Sequence, residues 1–169
     1  MNVSPQTLLT PEFSRLLHTL PLPRILLELS EHDQVEDYDA LGSALLPFRA
    51  AGMRLAIDDV GAGFSSLRHI VVTGPDVIKM DRSIVSGLNT DPVLTKLVES
   101  LVTFGHGCGV TVVAEGIETA EEAAALLDLG VDLGQGWYFG RPGPPGSLLP
   151  VPSAVPRSLP VPDPGLLPA

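Results

Sequence analysis

Short apolar runs alternate with longer amphipathic stretches along the first 140 or so residues of the chain. Most of the apolar runs are continuous in valine, isoleucine and leucine, as in strands that are buried on both faces. Such strands, separated by helices, predict a parallel sheet covered by helices, which is an α/β fold. Both a doubly wound sheet and a (β/α)8 barrel fit this pattern. We predict six strands, at 2–4, 24–28, 54–58, 76–80, 110–114 and 131–135.

Helix starts and ends are marked by capping residues. Thr10 and Asp91 each precede a proline, which is favoured at the first helical position. Thr119 and Glu122 have the spacing of a capping box, and Gly130 ends the helix that follows. Two more helices are predicted at 37–51 and 65–70. The helix from 92 is expected to turn its apolar positions 93, 94, 97, 98, 101 and 102 inward.

Proline dominates the C-terminal end of the chain. Ten of the 17 prolines lie between Pro142 and Ala169. Proline has no backbone donor and a fixed φ, so this segment cannot form a helix interior or a central strand. We expect a folded domain over 1–141 and a disordered or polyproline-II tail over 142–169.

Charge and composition narrow the possible partners and the location. The formal net charge of −10 disfavours a nucleic-acid polymer, which needs clustered Lys and Arg. A small phosphorylated ligand is still compatible, since a bound metal can supply positive charge. The single cysteine, Cys108, allows no internal disulfide and fits a reducing, cytoplasmic location. No apolar run reaches the roughly 18 residues of a membrane span, so none is expected.

Polar side chains stand at the carboxyl end of every predicted strand. In parallel α/β folds the functional site lies at that edge, and a polar group on each strand favours the barrel over the open sheet. Carboxylate and amide oxygens are hard ligands that suit Mg²⁺ or Mn²⁺, and two adjacent aspartates could serve two metals. For any one position, a polar residue where a strand exits to solvent is the simpler interpretation. The set is Asn2, Glu28, Asp58, Asp59, Lys79, Asp81, Glu115 and Gln135.

Six successive motifs resemble those of EAL-domain cyclic-di-GMP phosphodiesterases. They are NVSPQTLLTPEF from 2, ELSE at 28–31, IDDVGAGFSSL at 57–67, DVIKMD at 76–81, VVAEGIE at 112–118 and LGQGWYFGRP at 133–142. The resemblance covers 2–142 in the right order. It implies an incomplete TIM-type (β/α)8 barrel with about six of eight strands, and two Mg²⁺ or Mn²⁺ ions. The implied reaction of bacterial signalling is hydrolysis of one phosphodiester of cyclic di-GMP to linear pGpG.

The resemblance also implies a role for each residue that matches a family motif. The implied metal ligands are Asn2, Glu28, Asp58 and Asp59. Lys79 matches the lysine that orients or deprotonates the attacking water, and Glu115 matches an active-site glutamate. The implied substrate and loop residues are Gln135, Asp81, Glu118 as anchor of the loop 60–66, and Gly61, Gly63 and Ser65 within that loop.

The sequence also departs from the family pattern. It contains no Glu-Ala-Leu tripeptide, whose glutamate is a metal ligand in the family, and it lacks the substrate-binding arginine that follows. We expect two missing barrel strands, exposed sheet edges and little or no phosphodiesterase activity. The alternatives are a degenerate, non-catalytic module that binds cyclic di-GMP or a protein, and a fragment without function. A homodimer, or a regulatory or GGDEF partner domain, is the expected protein partner.

Overall fold

Five parallel strands form one sheet in the computed structural model, which describes residues 1–30, 35–62 and 66–143, without the side chains of 66–69. Each strand pairs with the next one along the chain. A doubly wound sheet would reverse its order at a switch point, and this sheet does not. The predicted α/β class is confirmed. The strands are β1 (Leu26–Ser30), β2 (Arg54–Val60), β3 (Val77–Met80), β4 (Thr111–Ala114) and β5 (Leu133–Gly134).

The first predicted strand is reduced to one bridge. Asn2 pairs in parallel with Glu28, and the Val3 amide donates to the Glu28 carbonyl at 3.0 Å. The Ser4 side chain then accepts from the Thr7 amide at 3.2 Å and caps the next helix. Pairing therefore stops after Val3, because the chain has already turned into a helix.

The helices begin where the capping residues predict. Thr10 accepts from the Phe13 amide, and Asp91 accepts from the Val93 and Leu94 amides. Both hydrogen bonds of the capping box form: the Thr119 side chain accepts from the Glu122 amide, and the Glu122 side chain accepts from the Thr119 amide. The helices are α1 (Pro5–Leu8), α2 (Pro11–Leu17), α3 (Tyr38–Ala50), α4 (Ser66–Thr73), α5 (Arg82–Val85), α6 (Pro92–Gly107) and α7 (Ala120–Asp128), with a 3₁₀ turn at Leu22–Arg24.

The core lies on both faces of the sheet. The consecutive residues Leu55, Ala56 and Ile57 of β2 are all fully buried, although successive strand residues face opposite sides. One correction concerns α6, in which Val93 is 74% exposed and Leu97 41% exposed, against the prediction that both turn inward. In the part of the chain that the structure describes, no helix has the length and apolar character needed to cross a membrane. The predicted Pro-rich tail lies outside the described residues from 144 onward.

One buried carboxylate connects the loops at the carboxyl end of the sheet. Glu122 accepts the Glu118 amide at 2.9 Å, the Thr119 amide at 3.2 Å and the Gly87 amide at 3.0 Å. Burial raises the pKa of Glu122, but these backbone donors and the Thr119 hydroxyl outweigh it and hold the pKa below its ordinary value of 4.5. The charged carboxylate thus fixes the β4–α7 connection against the loop that precedes α6.

We expect Glu122→Gln to lower the free energy of unfolding by about 1–3 kcal/mol at neutral pH, because an amide cannot accept all three donors. A carboxyl with a lowered folded pKa stabilises the protein above its unfolded pKa, and that contribution disappears as the pH falls through the folded pKa. The difference from the parent should therefore shrink in acid. Urea unfolding followed by circular dichroism over a pH series measures it.

Glu121→Gln is the matched control. Glu121 lies in the same first turn of α7 but is exposed, so both variants lose the same helix-dipole interaction of a few tenths of a kcal/mol. Equal stability losses in the two variants would contradict the role assigned to Glu122.

Candidate functional site

The predicted strand-end residues converge on one ammonium group. The Lys79 Nζ atom lies 2.8 Å from Glu115 Oε1, 2.9 Å from Asp58 Oδ1 and 3.3 Å from Glu28 Oε2. These four residues belong to or directly follow β1, β2, β3 and β4. Only 13% of the Lys79 side chain is exposed, so the ion pairs are largely shielded from water. The structure thus brings together four of the residues that the sequence predicts for the site.

The charge of Lys79 is fixed by these neighbours. Burial alone lowers the pKa of a lysine, but the hydrogen bonds and charges of Glu115 and Asp58 outweigh it and raise the pKa of Lys79 above its ordinary value. Lys79 is therefore an ammonium ion at neutral pH in this arrangement. It donates hydrogen bonds to these carboxylates and balances their charge.

A bulge in β2 explains how two consecutive aspartates reach the same edge. Ile57 pairs with Ile78 and Val60 pairs with Met80, so Asp58 and Asp59 together lie opposite the single residue Lys79. A bulge of this kind re-aims side chains that would otherwise alternate between the two faces. Asp59 also has a φ of +61°, in the left-handed region that few non-glycine residues adopt. Strained backbone of this kind clusters at functional sites.

Ser30 holds Asp59 in this conformation. Its hydroxyl donates to Asp59 Oδ2 at 3.1 Å, and the Asp59 amide donates to Asp58 Oδ1 at 3.1 Å. Ser30 was not among the residues predicted from the sequence. The available signal was its spacing, because Ser30 lies two residues after Glu28 and so faces the same side of β1.

The remaining predicted residues surround this centre. Asn2 is exposed and bridges Glu28 through the backbone. Asp81 caps α5 by accepting from the Ser83 amide at 2.8 Å. Gly61 has a φ of +109°, and a Cβ there would lie 2.7 Å from the Ile84 side chain, so another residue would strain the backbone and displace Ile84. Gly63 and Ser65 lie outside the described residues.

Gln135 and the loop after Glu115 form one hydrogen-bonded unit. The Ile117 amide donates to the Gln135 carbonyl at 3.1 Å, and the Tyr138 amide donates to the Ile117 carbonyl at 3.0 Å. A Cβ on Gly136 would lie 2.1 Å from the Ile117 carbonyl oxygen, so the two segments touch through their backbones. The β4–α7 and post-β5 loops therefore keep a fixed relation.

Glu118 forms an ion pair that the sequence did not predict. Its Oε2 atom lies 3.0 Å from Arg82 Nη2, at the start of α5. The predicted anchoring of the loop 60–66 by Glu118 stays a prediction, since 63–65 lie outside the described residues.

The donor set suits a hard divalent cation by its chemistry. Glu28, Asp58 and Asp59 offer carboxylate oxygens and Asn2 offers an amide oxygen, the ligand types of Mg²⁺ and Mn²⁺. Within 1–30, 35–62 and 66–143, however, no three His, Cys, Asp or Glu side chains are grouped so that they could hold a metal ion. The carboxylates of Glu28 and Asp58 contact the Lys79 ammonium instead.

Comparison with known proteins identifies relatives that match most of this chain, including the candidate site. The family model for the EAL domain matches residues 1–142. The cyclic di-GMP phosphodiesterase RocR of Pseudomonas aeruginosa is 33% identical over 149 residues, which are 85% of this chain and 38% of RocR. The probable cyclic di-GMP phosphodiesterase PdeN of Escherichia coli is 30% identical over 150 residues, which are 85% of this chain and 29% of PdeN. The chain thus spans less than two fifths of either relative.

Solved structures share the fold. The manganese and cyclic di-GMP complex of Klebsiella pneumoniae BlrP1 matches with a TM-score of 0.77 and 36% identity, over 84% of this chain and 38% of that one. The EAL domain of Mycobacterium smegmatis DcpA matches with a TM-score of 0.77 and 32% identity, over 83% of this chain and 66% of that one. A BlrP1 complex with calcium and cyclic di-GMP also matches, with a TM-score of 0.76. The predicted partial TIM-type barrel is confirmed.

We expect Lys79→Met to lower the free energy of unfolding by about 2–3 kcal/mol at neutral pH, because three partly buried carboxylates lose their counter-ion. Urea unfolding at low ionic strength, where charge repulsion is least screened, measures it.

Lys96→Met provides the control. Lys96 pairs with Glu99 on the exposed face of α6, with 76% of its side chain exposed, and its loss should change stability by less than about 0.5 kcal/mol. A Lys79→Met variant as stable as Lys96→Met would show that the carboxylates do not depend on the ammonium.

Proposed function

The chain belongs to the EAL domain family, and on this premise we propose that its site serves metal-dependent hydrolysis of cyclic di-GMP to pGpG. The observation that carries the proposal is the convergence of Glu28, Asp58, Lys79 and Glu115 at one edge of the sheet. The names of RocR and PdeN, which match most of this chain, support the same reaction.

Asn2, Glu28, Asp58 and Asp59 are the residues that would hold Mg²⁺ or Mn²⁺ in this proposal. When bound, the metal would lower the pKa of a coordinated water and offset the negative charge of the phosphodiester. The bulge at Asp58 and Asp59 supports the assignment, because it brings two carboxylates to the same strand end. The hydrogen bond from Ser30 to Asp59 Oδ2 leaves the Asp59 Oδ1 atom as the better candidate for a ligand.

Lys79 would act on the attacking water, and Glu115 would hold Lys79. A lysine held as an ammonium donates hydrogen bonds, so we assign Lys79 to orienting the water and stabilising negative charge rather than removing a proton. Glu115, 2.8 Å from Lys79 Nζ, would keep that ammonium in place. Gln135 would contribute a hydrogen bond near the substrate.

The loop residues complete the proposed site. Asp81 would face the substrate from the end of β3. Glu118 would anchor the loop that contains Gly61, Gly63 and Ser65. Gly61 supports a tight turn there, since its φ of +109° is one that residues with a side chain rarely adopt.

The turnover of this 169-residue polypeptide by itself is proposed to be weak. In the described part of the chain β1 and β5 do not pair with each other, so the sheet is open on one side. The sequence has no counterpart of the Glu-Ala-Leu carboxylate, and catalytic geometry tolerates little displacement.

Partners and location follow from the same premise. We propose cyclic di-GMP as the ligand and a second copy or a regulatory domain, of the GGDEF type among others, as the protein partner. Val71 and Val72 on α4 are 69% and 50% exposed and offer apolar surface for such a contact. A cytoplasmic location stays a prediction, supported by the exposed free thiol of Cys108.

The test is an assay of the purified 169-residue chain with cyclic di-GMP and Mg²⁺ or Mn²⁺, with pGpG measured by chromatography. We expect slow turnover that Asp59→Asn lowers by at least about tenfold, the lower limit seen for residues around metal sites. Binding of cyclic di-GMP is measured separately by calorimetry in Ca²⁺.

Asp39→Asn is the control, since Asp39 is an exposed residue in the first turn of α3. Binding without any turnover would support the non-catalytic alternative. A chain that neither binds nor hydrolyses cyclic di-GMP, or an Asp59→Asn variant as active as the parent, would overturn the proposed function. Rapid turnover would contradict only the proposed weakness.

A further inference from the structure

Two ion pairs join the ends of β3 and β4 in the same pattern. Lys79 and Arg82 are three residues apart at the end of β3, and Glu115 and Glu118 are three residues apart after β4. Lys79 pairs with Glu115 at 2.8 Å, and Arg82 pairs with Glu118 at 3.0 Å. The first pair belongs to the site described above, whereas nothing in the proposed reaction assigns a role to Arg82.

Arg82 contacts the β4–α7 connection through its aliphatic stem as well as its charge. Gly116 follows Glu115 directly, with a φ of +70°, and a Cβ at this glycine would lie 2.6 Å from the Arg82 Cβ and 2.7 Å from its Cγ. The stem of Arg82 therefore rests on the backbone immediately after Glu115. The guanidinium reaches two residues further, to Glu118.

The backbone at Arg82 is itself held in place. Arg82 is the first residue of α5, whose cap Asp81 accepts from the Ser83 amide at 2.8 Å. The Asp81 amide donates to the Val60 carbonyl at 3.0 Å, which ties this turn to the end of β2. Arg82 thus connects the aspartate-bearing side of the site to the segment that carries Glu115.

The exposure of the pair indicates what it contributes. The Arg82 side chain is 54% exposed and that of Glu118 is 34% exposed, and ion pairs in such positions add little to stability. Loss of this ion pair should therefore cost little stability. A variant that lacks it should still fold, so that a change at the site can be separated from a loss of stability.

We infer that Arg82 is a positioning residue, which holds Glu115 against Lys79 by packing on Gly116 and pairing with Glu118. The role in turnover rests on the proposed function. The inference means that the reaction requires a long side chain that ends in a positive charge at position 82.

The first experiment compares Arg82→Met with Arg15→Met. Methionine keeps much of the stem and removes the charge, and Arg15 forms an equally simple exposed ion pair with Glu12 on α2, away from the site. We expect Arg82→Met to lower kcat by about tenfold or more with little change in KM and a Tm within about 3 °C of the control. Arg82→Lys should recover much of the loss.

A second readout does not depend on activity. The amides of Glu115, Ile117, Glu118 and Thr119 all donate hydrogen bonds, so hydrogen exchange in this segment starts from a protected state. Arg82→Met should lose protection in peptides that cover 115–119, whereas Arg15→Met should not. This measurement decides the inference even if the parent chain has no turnover, in which case only the proposed function fails.

Glycine substitutions test the contact from the other side. Gly116 and Gly109 have φ values of +70° and +71°, so alanine strains the backbone about equally at both. A Cβ on Gly109 meets nothing within 4 Å, whereas one on Gly116 meets the Arg82 stem. Gly116→Ala should therefore lower kcat and expose 115–119 to exchange, as Arg82→Met does, and Gly109→Ala should not.

Unchanged exchange at 115–119 in Arg82→Met would overturn the inference. If the parent is active, an unchanged kcat in Arg82→Met would also overturn the inference. A Gly116→Ala variant that behaves like Gly109→Ala would overturn it as well.

Discussion

The ammonium of Lys79 is the interaction on which the candidate site depends. Three carboxylates, from Glu28, Asp58 and Glu115, lie within 3.3 Å of its nitrogen, and like charges this close repel each other strongly where water is largely excluded. The strand that contributes the cation, β3, lies between the strands that contribute the anions. The arrangement therefore requires parallel strands whose ends are level, which is what the order and register of the sheet provide.

The carboxylates that contact Lys79 include two of the proposed metal ligands. Glu28 and Asp58 contact the ammonium through one oxygen each, Oε2 and Oδ1, and each has a second carboxylate oxygen. A bound dication would compensate two carboxylate charges, whereas a lysine compensates one. Lys79 and the proposed metal would therefore share the charge compensation of one acidic cluster, and Glu115 would keep the ammonium beside it.

Local signals in the sequence were sufficient for most of the strands, for the longer helices and for the carboxylates that meet at Lys79, but not for the short helices α1 and α5. Caps such as Thr119 act over a few residues, and the polar residues at the ends of apolar runs mark where strands emerge. The inward face of α6 was only partly predicted. At 100° per residue its six apolar positions span about 180°, and Val93 and Leu97 lie at one end of that arc, whereas Val98 and Val102 at the other end are buried. Periodicity defines the apolar arc, but only the neighbouring elements define which part of it is covered.

The contacts that the sequence did not predict all depend on register between distant segments. The bulge at Asp58 becomes visible only when β2 is paired with β3, and the hydrogen bond from Ser30 to Asp59 requires β1 beside that bulge. Gly136 touches Ile117 because β5 pairs with β4. The spacing of residues along one strand can be predicted from the sequence, whereas the register between two strands depends on how the chain folds.

The site can be understood as two halves that meet between β3 and β4. Glu28, Asp58, Asp59 and Lys79 lie on the first three strands, and Glu115, Glu118 and Gln135 lie on the loops after β4 and β5. The second half is internally fixed, since Ile117 bonds the Gln135 segment and Glu122 binds the amides of Glu118 and Thr119. A small shift of one half against the other would therefore move Glu115 and Gln135 together. Two ion pairs, Lys79–Glu115 and Arg82–Glu118, join the two halves. A change in charge at Asp58 and Glu28 would alter the contacts of Lys79 and, through Lys79, the position of Glu115 in the second half.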